Sequence, residues 1–214
     1  MANEIVDRET WLKARTELLR KEKAHTRERF ALAQERANLP WVLVEDDYRF
    51  HAPDGERTFA ELFGGFSQLV IYHLMLGPGW DAPCVGCAQW ADAMTGNTAK
   101  FADADARCIA VSRAPINEIE HQRQLRGWDF PWYSSHGSTF NLDFHVSSDD
   151  LSEDATKQVG EETFGFLRGE NHGASVFVHE DGAIYHTVSV YNRGIEAMNG
   201  AFGYYDMLPK GRPW

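Results

Sequence analysis

The chain has 214 residues, 43% of them hydrophobic and 13% aromatic, enough for one well-packed core with an extension. A formal charge of −11 and scattered Lys and Arg exclude a phosphate-tracking surface, so nucleic acid is not expected as a partner. Charges within the first ten residues, no apolar run near the roughly 20 residues a bilayer span needs, and only three cysteines predict a cytoplasmic protein. Neither a secretory signal, a membrane partner nor a disulfide scaffold is expected.

From Asp7 to about Ala37 the chain is charged, nearly free of Gly and Pro, and carries Trp11/Leu18, Leu12/Leu19 and Phe30/Ala33/Ala37 at helical spacings. This predicts a helical arm over residues 1–40, with the main domain over 41–214. "NLP" ends the arm before a strand in "WVLVEDDYRF". "APDGERTFAELFGG" predicts a turn, a short helix from about Thr58 and a Gly-Gly stop. "SQLVIYHLML" is the nearly continuous apolar run of a strand buried on both faces of a parallel sheet. A loop and a helix from about Cys84 to Thr95 follow, then the strand "RCIAVSRA" and the helix "APINEIEHQRQLRG", with Pro115 near its first turn and Gly127 past its end.

The stretch "WDFPWYSSHGSTFNLDFHVS" is aromatic and irregular. "ASVFVHEDGAIYHTVSVY" predicts a hairpin turning at Asp181-Gly182, and "RGIEAMNGAFGYYDML" closes the chain as a helix and a loop. Strand, helix, strand, helix, hairpin, helix is the order of an α/β thioredoxin-like fold with a central mixed sheet flanked by helices.

Cys84-Val-Gly-Cys87 stands between the buried strand and the helix. A cysteine at a helix start lies among unpaired backbone N–H groups at the positive end of the dipole, where thiolate is favoured over thiol. Cys84 is therefore the expected nucleophile, and Cys87, one turn on, the resolving thiol of a disulfide that opens and closes. Pro78 and Pro83 stiffen the approach. Cys108, inside a strand, reads as a small buried hydrophobe.

The blocks "LPWVLVEDDYRF", "SQLVIYHLMLGPGWDAPCVGCAQWAD", "AVSRAPINEIE", "GWDFPWYSSHGSTFNLDFHVS" and "YHTVSVYNRGIEAMNGAFGYYDMLPKGR" resemble, in order, those of domain-of-unknown-function family 899. The resemblance covers nearly the whole chain and implies a thioredoxin-like fold and a predicted dithiol-disulfide oxidoreductase activity. Thioredoxin-like domains usually carry a cis-proline just before the strand read here as "ASVFV". This chain has His172 and Gly173 at that place, and a non-proline cis bond costs roughly 3 kcal/mol, so none is expected.

Other groups qualify the reading. His172 before that strand would face the cysteines, and two thiolates with one imidazole form a plausible copper or zinc set, Cys84, Cys87 and His172; the competing reading is a partly exposed loop residue. Arg113, ending a parallel strand, could hold the thiolate or an anionic substrate, or tie down a loop. A peroxiredoxin-like thiol peroxidase needs such an arginine, yet Gly77 and Asp81 occupy the Pro and Thr/Ser places of the Pro-x-x-x-Thr/Ser-x-x-Cys pattern. Trp132, Tyr133, His136, Asn141 and Asp143 either wall a ligand pocket or bury an irregular loop. Trp80 and Trp90 flank the cysteines as shields, and His186 on a hairpin strand reads as structural. The expected function is thiol-disulfide exchange by Cys84 and Cys87 without a cofactor. Trp80, Pro83, Arg113, Trp132 and His172 are the expected substrate contacts, and the expected substrate is a disulfide-containing protein or a small thiol. A copper or zinc protein, a peroxiredoxin-like thiol peroxidase and a non-catalytic binding module are the alternatives.

Overall fold

The structure, a computed structural model, describes residues 4–148, 152, 155, 157 and 169–212. The chain divides into two compact units, Met1–Pro40 and Trp41–Trp214.

The first unit is one helix, α1 (Arg8–Ala37). Its N-cap is Asp7, whose carboxylate accepts the Thr10 N–H at 2.7 Å. None of its residues is buried. Glu9–Lys13 and Arg15–Glu22 pair along its surface at 2.9 Å. Helix propensity and such pairs, each worth a few tenths of a kcal/mol, support it from within.

The second unit is built on an eight-stranded sheet in the order β1-β8-β7-β4-β5-β6-β2-β3. Its strands are β1 (Val42–Leu43), β2 (Arg49–Ala52), β3 (Gly55–Thr58), β4 (Gln68–His73), β5 (Ala106–Ser112), β6 (Trp132–Ser134), β7 (Gly173–Glu180) and β8 (Ala183–Tyr191). The helices are α2 (Phe59–Leu62), α3 (Val85–Met94), α4 (Ile116–Arg126) and α5 (Phe140–Asp143), with a C-terminal helix Gly200–Tyr205.

Strand β4 runs parallel to β5 and antiparallel to β7, so α3 is a crossover between parallel neighbours; α4 is the next, between β5 and β6. Its alternating side chains serve two cores. Leu69 and Ile71 face a cluster of Phe50, Phe59, Phe140, Phe144 and Phe177, while Tyr72 joins the core under α3 and α4, with Cys87, Ala91, Ile119, Trp128 and Phe130. That is why "LVIY" is apolar throughout: both faces are covered. Strands β7 and β8 form the predicted hairpin, with Asp181 and Gly182 at φ 51° and 79° as a type I′ turn requires. The inner order β5-β4-β7-β8, with α3 starting at the cysteine pair, is the expected thioredoxin-like arrangement.

Three local expectations are corrected. "WVLVEDDYRF" is two strands at opposite ends of the sheet: β1 pairs with β8, while β2 pairs with β3 and β6. Glu45, Asp46 and Asp47 separate them, since three successive carboxylates cannot be sheet interior. Tyr48 then turns inward and donates its hydroxyl to Asp143 at 2.8 Å. "APDGERT" is the hairpin β2–β3, after which Thr58 and Glu61 close a capping box on α2. The aromatic stretch contains β6, paired in parallel with β5.

Gly173 opens β7, paired with His73 on one side and Tyr191 on the other. Among the described residues no peptide bond is cis. A Cβ at Gly173 would lie 2.7 Å from the Tyr191 ring and 2.8 Å from the Val190 carbonyl, so the hairpin would have to shift. Gly173→Ala is expected to destabilise the protein by about 1–3 kcal/mol in urea unfolding. Gly194→Ala, whose nearest neighbour would be 3.7 Å away, should change stability by no more than about 0.5 kcal/mol.

Candidate active site around the cysteine pair

The site is assembled where β4 and β5 end. The Leu74 N–H donates to the Val111 carbonyl at 3.0 Å, and the Ala114 N–H to the Leu76 carbonyl at 2.9 Å, so the two exits run side by side. The chain then loops through Gly77–Pro83 and returns, the Cys84 N–H donating to the Met75 carbonyl at 3.1 Å. Helix α4 holds this loop from outside. The Gly79 N–H donates to Glu118 Oε2 at 3.0 Å, and Gln122 Nε2 donates to the Asp81 carbonyl at 2.8 Å. Pro83 is buried beneath it.

Cys84 is the N-cap of α3, in extended backbone, with no side-chain cap of its own. All three cysteines are free thiols, and Cys84 is the one that is partly exposed. The neighbouring Cys87 thiol is the largest influence holding the Cys84 pKa down to about 5; partial burial opposes it. The backbone N–H groups of Cys87 and Gly86 and the nearby His172 add to the lowering. At neutral pH Cys84 is a thiolate at the open end of a helix.

Cys87 is its counterpart. Only 2% exposed, its thiol is pushed well up by donating to Cys84 and by burial. The pair therefore shares one proton, which sits on the inner sulfur. The Tyr72 hydroxyl, buried and without a hydrogen-bond partner of good geometry, faces Cys87 and favours negative charge there. Tyr72 stacks on Trp90 at 5.4 Å.

His172 lies just before β7 and interacts with Cys84 as the fold predicts. Its ring bonds to the Asn192 backbone, and burial holds its pKa below the ordinary histidine value. Trp80, 40% exposed, forms the lip of the loop. A Cβ on Gly77 would stand 3.0 Å from its indole nitrogen and 3.3 Å from Glu170 Cγ, so glycine there lets the indole lie against the backbone.

Three expected substrate contacts are corrected, the first being Pro83, which is buried under the loop's own packing. Arg113 Nε donates to Glu170 Oε1 at 2.6 Å, and the Ser147 hydroxyl donates to the same oxygen at 3.3 Å. Glu170 is 4% exposed, and a buried carboxylate needs a paired charge. Arg113 thus ties the end of β5 to the segment entering β7. Trp132 is 3% exposed; its indole donates to Ser112 Oγ at 2.9 Å and its rings pack on Trp128 and Phe130. It is core because β6 belongs to the sheet. Asn141, 3% exposed, accepts from the Ser135 hydroxyl, and the exposed Asp143 accepts from the Tyr48 hydroxyl, so both serve to hold the segment's own loop. Cys108 is buried with its pKa pushed up to about 12. His186 bonds Ser189 at 2.8 Å within the hairpin.

Among the described residues no group of three His, Cys, Asp or Glu side chains is placed to hold a metal ion. Tyr72 and Glu170 were not singled out from sequence. A lone hydroxyl in "LVIYHL" and an acid two residues before His172 were the available signals.

A family model described as a bacterial protein of unknown function, DUF899, matches residues 1–213. The chain belongs to the DUF899 family. No curated protein matches this DUF899 chain. Solved structures similar to it include PrxQ from Xylella fastidiosa, at 13% identity and a TM-score of 0.47 over 78% of this chain and 95% of that one. Peroxiredoxin Q from Xanthomonas campestris is similar at 17% and 0.49, over 78% and 98%. A candidate protein disulfide isomerase from Bacteroides thetaiotaomicron is similar at 14% and 0.45, over 79% and 93%. No helix among the described residues is long and apolar enough to cross a membrane.

The site yields two measurable consequences. Iodoacetamide alkylation of Cys84 should show a midpoint at about pH 5, and Cys87→Ala, which removes the principal donor, should raise that midpoint by about one pH unit or more. A wild-type midpoint near the ordinary value of about 8.5 would refute the assignment. Because the folded pKa lies below the unfolded one, the reduced protein loses a stabilising contribution as pH falls through the folded value. Its thermal midpoint relative to Cys84→Ala should therefore rise from about pH 5 to about pH 8.5.

Proposed function

We propose that this DUF899 protein is a thiol-disulfide oxidoreductase in which Cys84 attacks and Cys87 resolves. The observation that carries this reading is the unequal pair at the start of α3. A partly exposed sulfur is held as thiolate by two backbone N–H groups and by the thiol of a buried neighbour one turn away. Thiolate outside and proton inside is the order that exchange requires.

In the forward direction Cys84 Sγ attacks one sulfur of a substrate disulfide. A mixed disulfide forms on Cys84 and the other substrate sulfur leaves as a thiolate. The Cys87 thiol then gives up its proton and its sulfur attacks Cys84 Sγ, releasing the second substrate thiolate, which takes a proton. The substrate disulfide gains two electrons and the pair becomes a disulfide. A protein or small-molecule thiol, entering by the same steps in reverse, restores it.

The Tyr72 hydroxyl is placed to stabilise the Cys87 sulfur when it loses its proton. Trp80 and His172 flank the exposed sulfur and are the side chains a substrate would meet. His172 and Gly173 stand where other thioredoxin-like domains carry a proline, so substrate backbone is aligned here by a different surface.

A reduced form stabilised as thiolate makes its disulfide more oxidising. The pair is expected to have a reduction potential above the about −270 mV of a thioredoxin-type pair, read by equilibration with glutathione redox buffers. Cys87→Ala incubated with oxidised glutathione should accumulate one glutathione on Cys84, seen by intact mass, whereas Cys84→Ala should accumulate none. If Cys87→Ala remains unmodified and the wild type forms no Cys84–Cys87 disulfide, the reading fails. Turnover of hydrogen peroxide without turnover of disulfides would move the activity to peroxide reduction.

A further inference from the structure

The cysteine chemistry leaves one feature of α3 unused. Between this helix and the sheet lies a cavity of about 510 Å³, within the roughly 300–1,000 Å³ range that holds small organic ligands. Its floor is Val70, Tyr72, Cys108 and Ala174, and its walls include Trp90 and Phe101. The space is partly open to solvent, so a small molecule can reach it.

None of the described lining residues is charged. Burying an ion among them would cost its hydration with no countercharge in return, which excludes carboxylates, phosphates and amines. The polar side chains that border the space are Asn97 and Thr98, apart from Tyr72, whose hydroxyl is turned toward Cys87. The Tyr72 and Trp90 rings, stacked with an interplanar angle of 23°, present flat aromatic surface. Such walls suit an uncharged, ring-containing molecule with one or two hydrogen-bonding groups near Asn97 and Thr98.

We propose that this cavity binds a small uncharged aromatic molecule, and that its occupancy is felt by the cysteine pair through Tyr72. The second half rests on the exchange activity proposed above. Tyr72 touches both places: its ring lines the cavity and its hydroxyl faces Cys87. Closing the Cys84–Cys87 disulfide removes the Cys87 proton and moves that sulfur, changing what Tyr72 faces. A ligand packed on Tyr72 therefore binds the two redox states unequally, and by linkage shifts the balance between them.

The probe is N-phenyl-1-naphthylamine, a neutral aromatic whose fluorescence rises in apolar surroundings. The reduced chain is expected to bind one molecule saturably. Ala93→Phe, which fills the cavity from α3, should weaken binding roughly tenfold or more. Methyl NMR shifts on the wild type should centre on Ala93, Ala174, Val176 and Met198, which locates the probe even if the variant folds poorly. No saturable binding, shifts centred elsewhere, or undiminished binding by folded Ala93→Phe would overturn the site. Diamide-oxidised protein should differ from reduced protein in affinity by about fivefold or more; equal affinities would overturn the coupling. Binding to the reduced chain involves no thiol exchange, so it fails or succeeds apart from the activity.

Discussion

Strand β4 is the constraint from which the rest of the second unit follows. Leu69 and Ile71 are fully buried on one face, while Tyr72 is buried on the other, so the strand must be covered from both sides. Its parallel neighbour β5 needs a crossover, and that crossover is α3. The carboxyl end of β4 therefore delivers the chain straight to the start of a helix packed on the sheet. The cysteine pair sits at that start because the topology leaves it nowhere else to be.

From this frame the chemistry is set by small differences in depth. Cys84 and Cys87 are one helical turn apart, yet one reaches solvent and the other lies in the core beside Tyr72 and Ala91. The N–H groups of the first turn have no carbonyl partners within the helix, and those of Gly86 and Cys87 favour negative charge on the outer sulfur. Burial keeps the proton on the inner one. The loop before Cys84 contributes by rigidity: its bonds to Met75, Glu118 and Gln122 on neighbouring segments hold the thiolate without touching it. The Arg113–Glu170 pair does the same for the segment that brings His172 to Cys84.

Much of this was legible in the sequence where local pattern and tertiary role agree. The hairpin at Asp181-Gly182, α4 between Pro115 and Gly127, and the cysteine helix after an apolar strand each carry a signal within a few residues. The misreadings share one cause. "WVLVEDDYRF" has a single stretch of strand-forming residues, and nothing local tells that its halves join opposite edges of a sheet. Trp132 looked available to substrate because β6 is three residues long, and Ala110, its pairing partner on β5, lies far back in the chain. Arg113 carried a signal for anion binding in general, and only folding supplied Glu170 as the anion.

The sequence by itself determined that a Cys-x-x-Cys would stand at a helix start after a strand buried on both faces. Apolar alternation and helix-boundary residues act over distances shorter than one element, so that reading survives without knowing the fold. Only the tertiary structure decided which groups converge there from far along the chain: His172 beside the outer sulfur, Tyr72 behind the inner one, and Glu170 taking up Arg113. Those partners are chosen by strand order, and strand order depends on which hydrophobic faces cover one another, a property of the whole domain rather than of any segment.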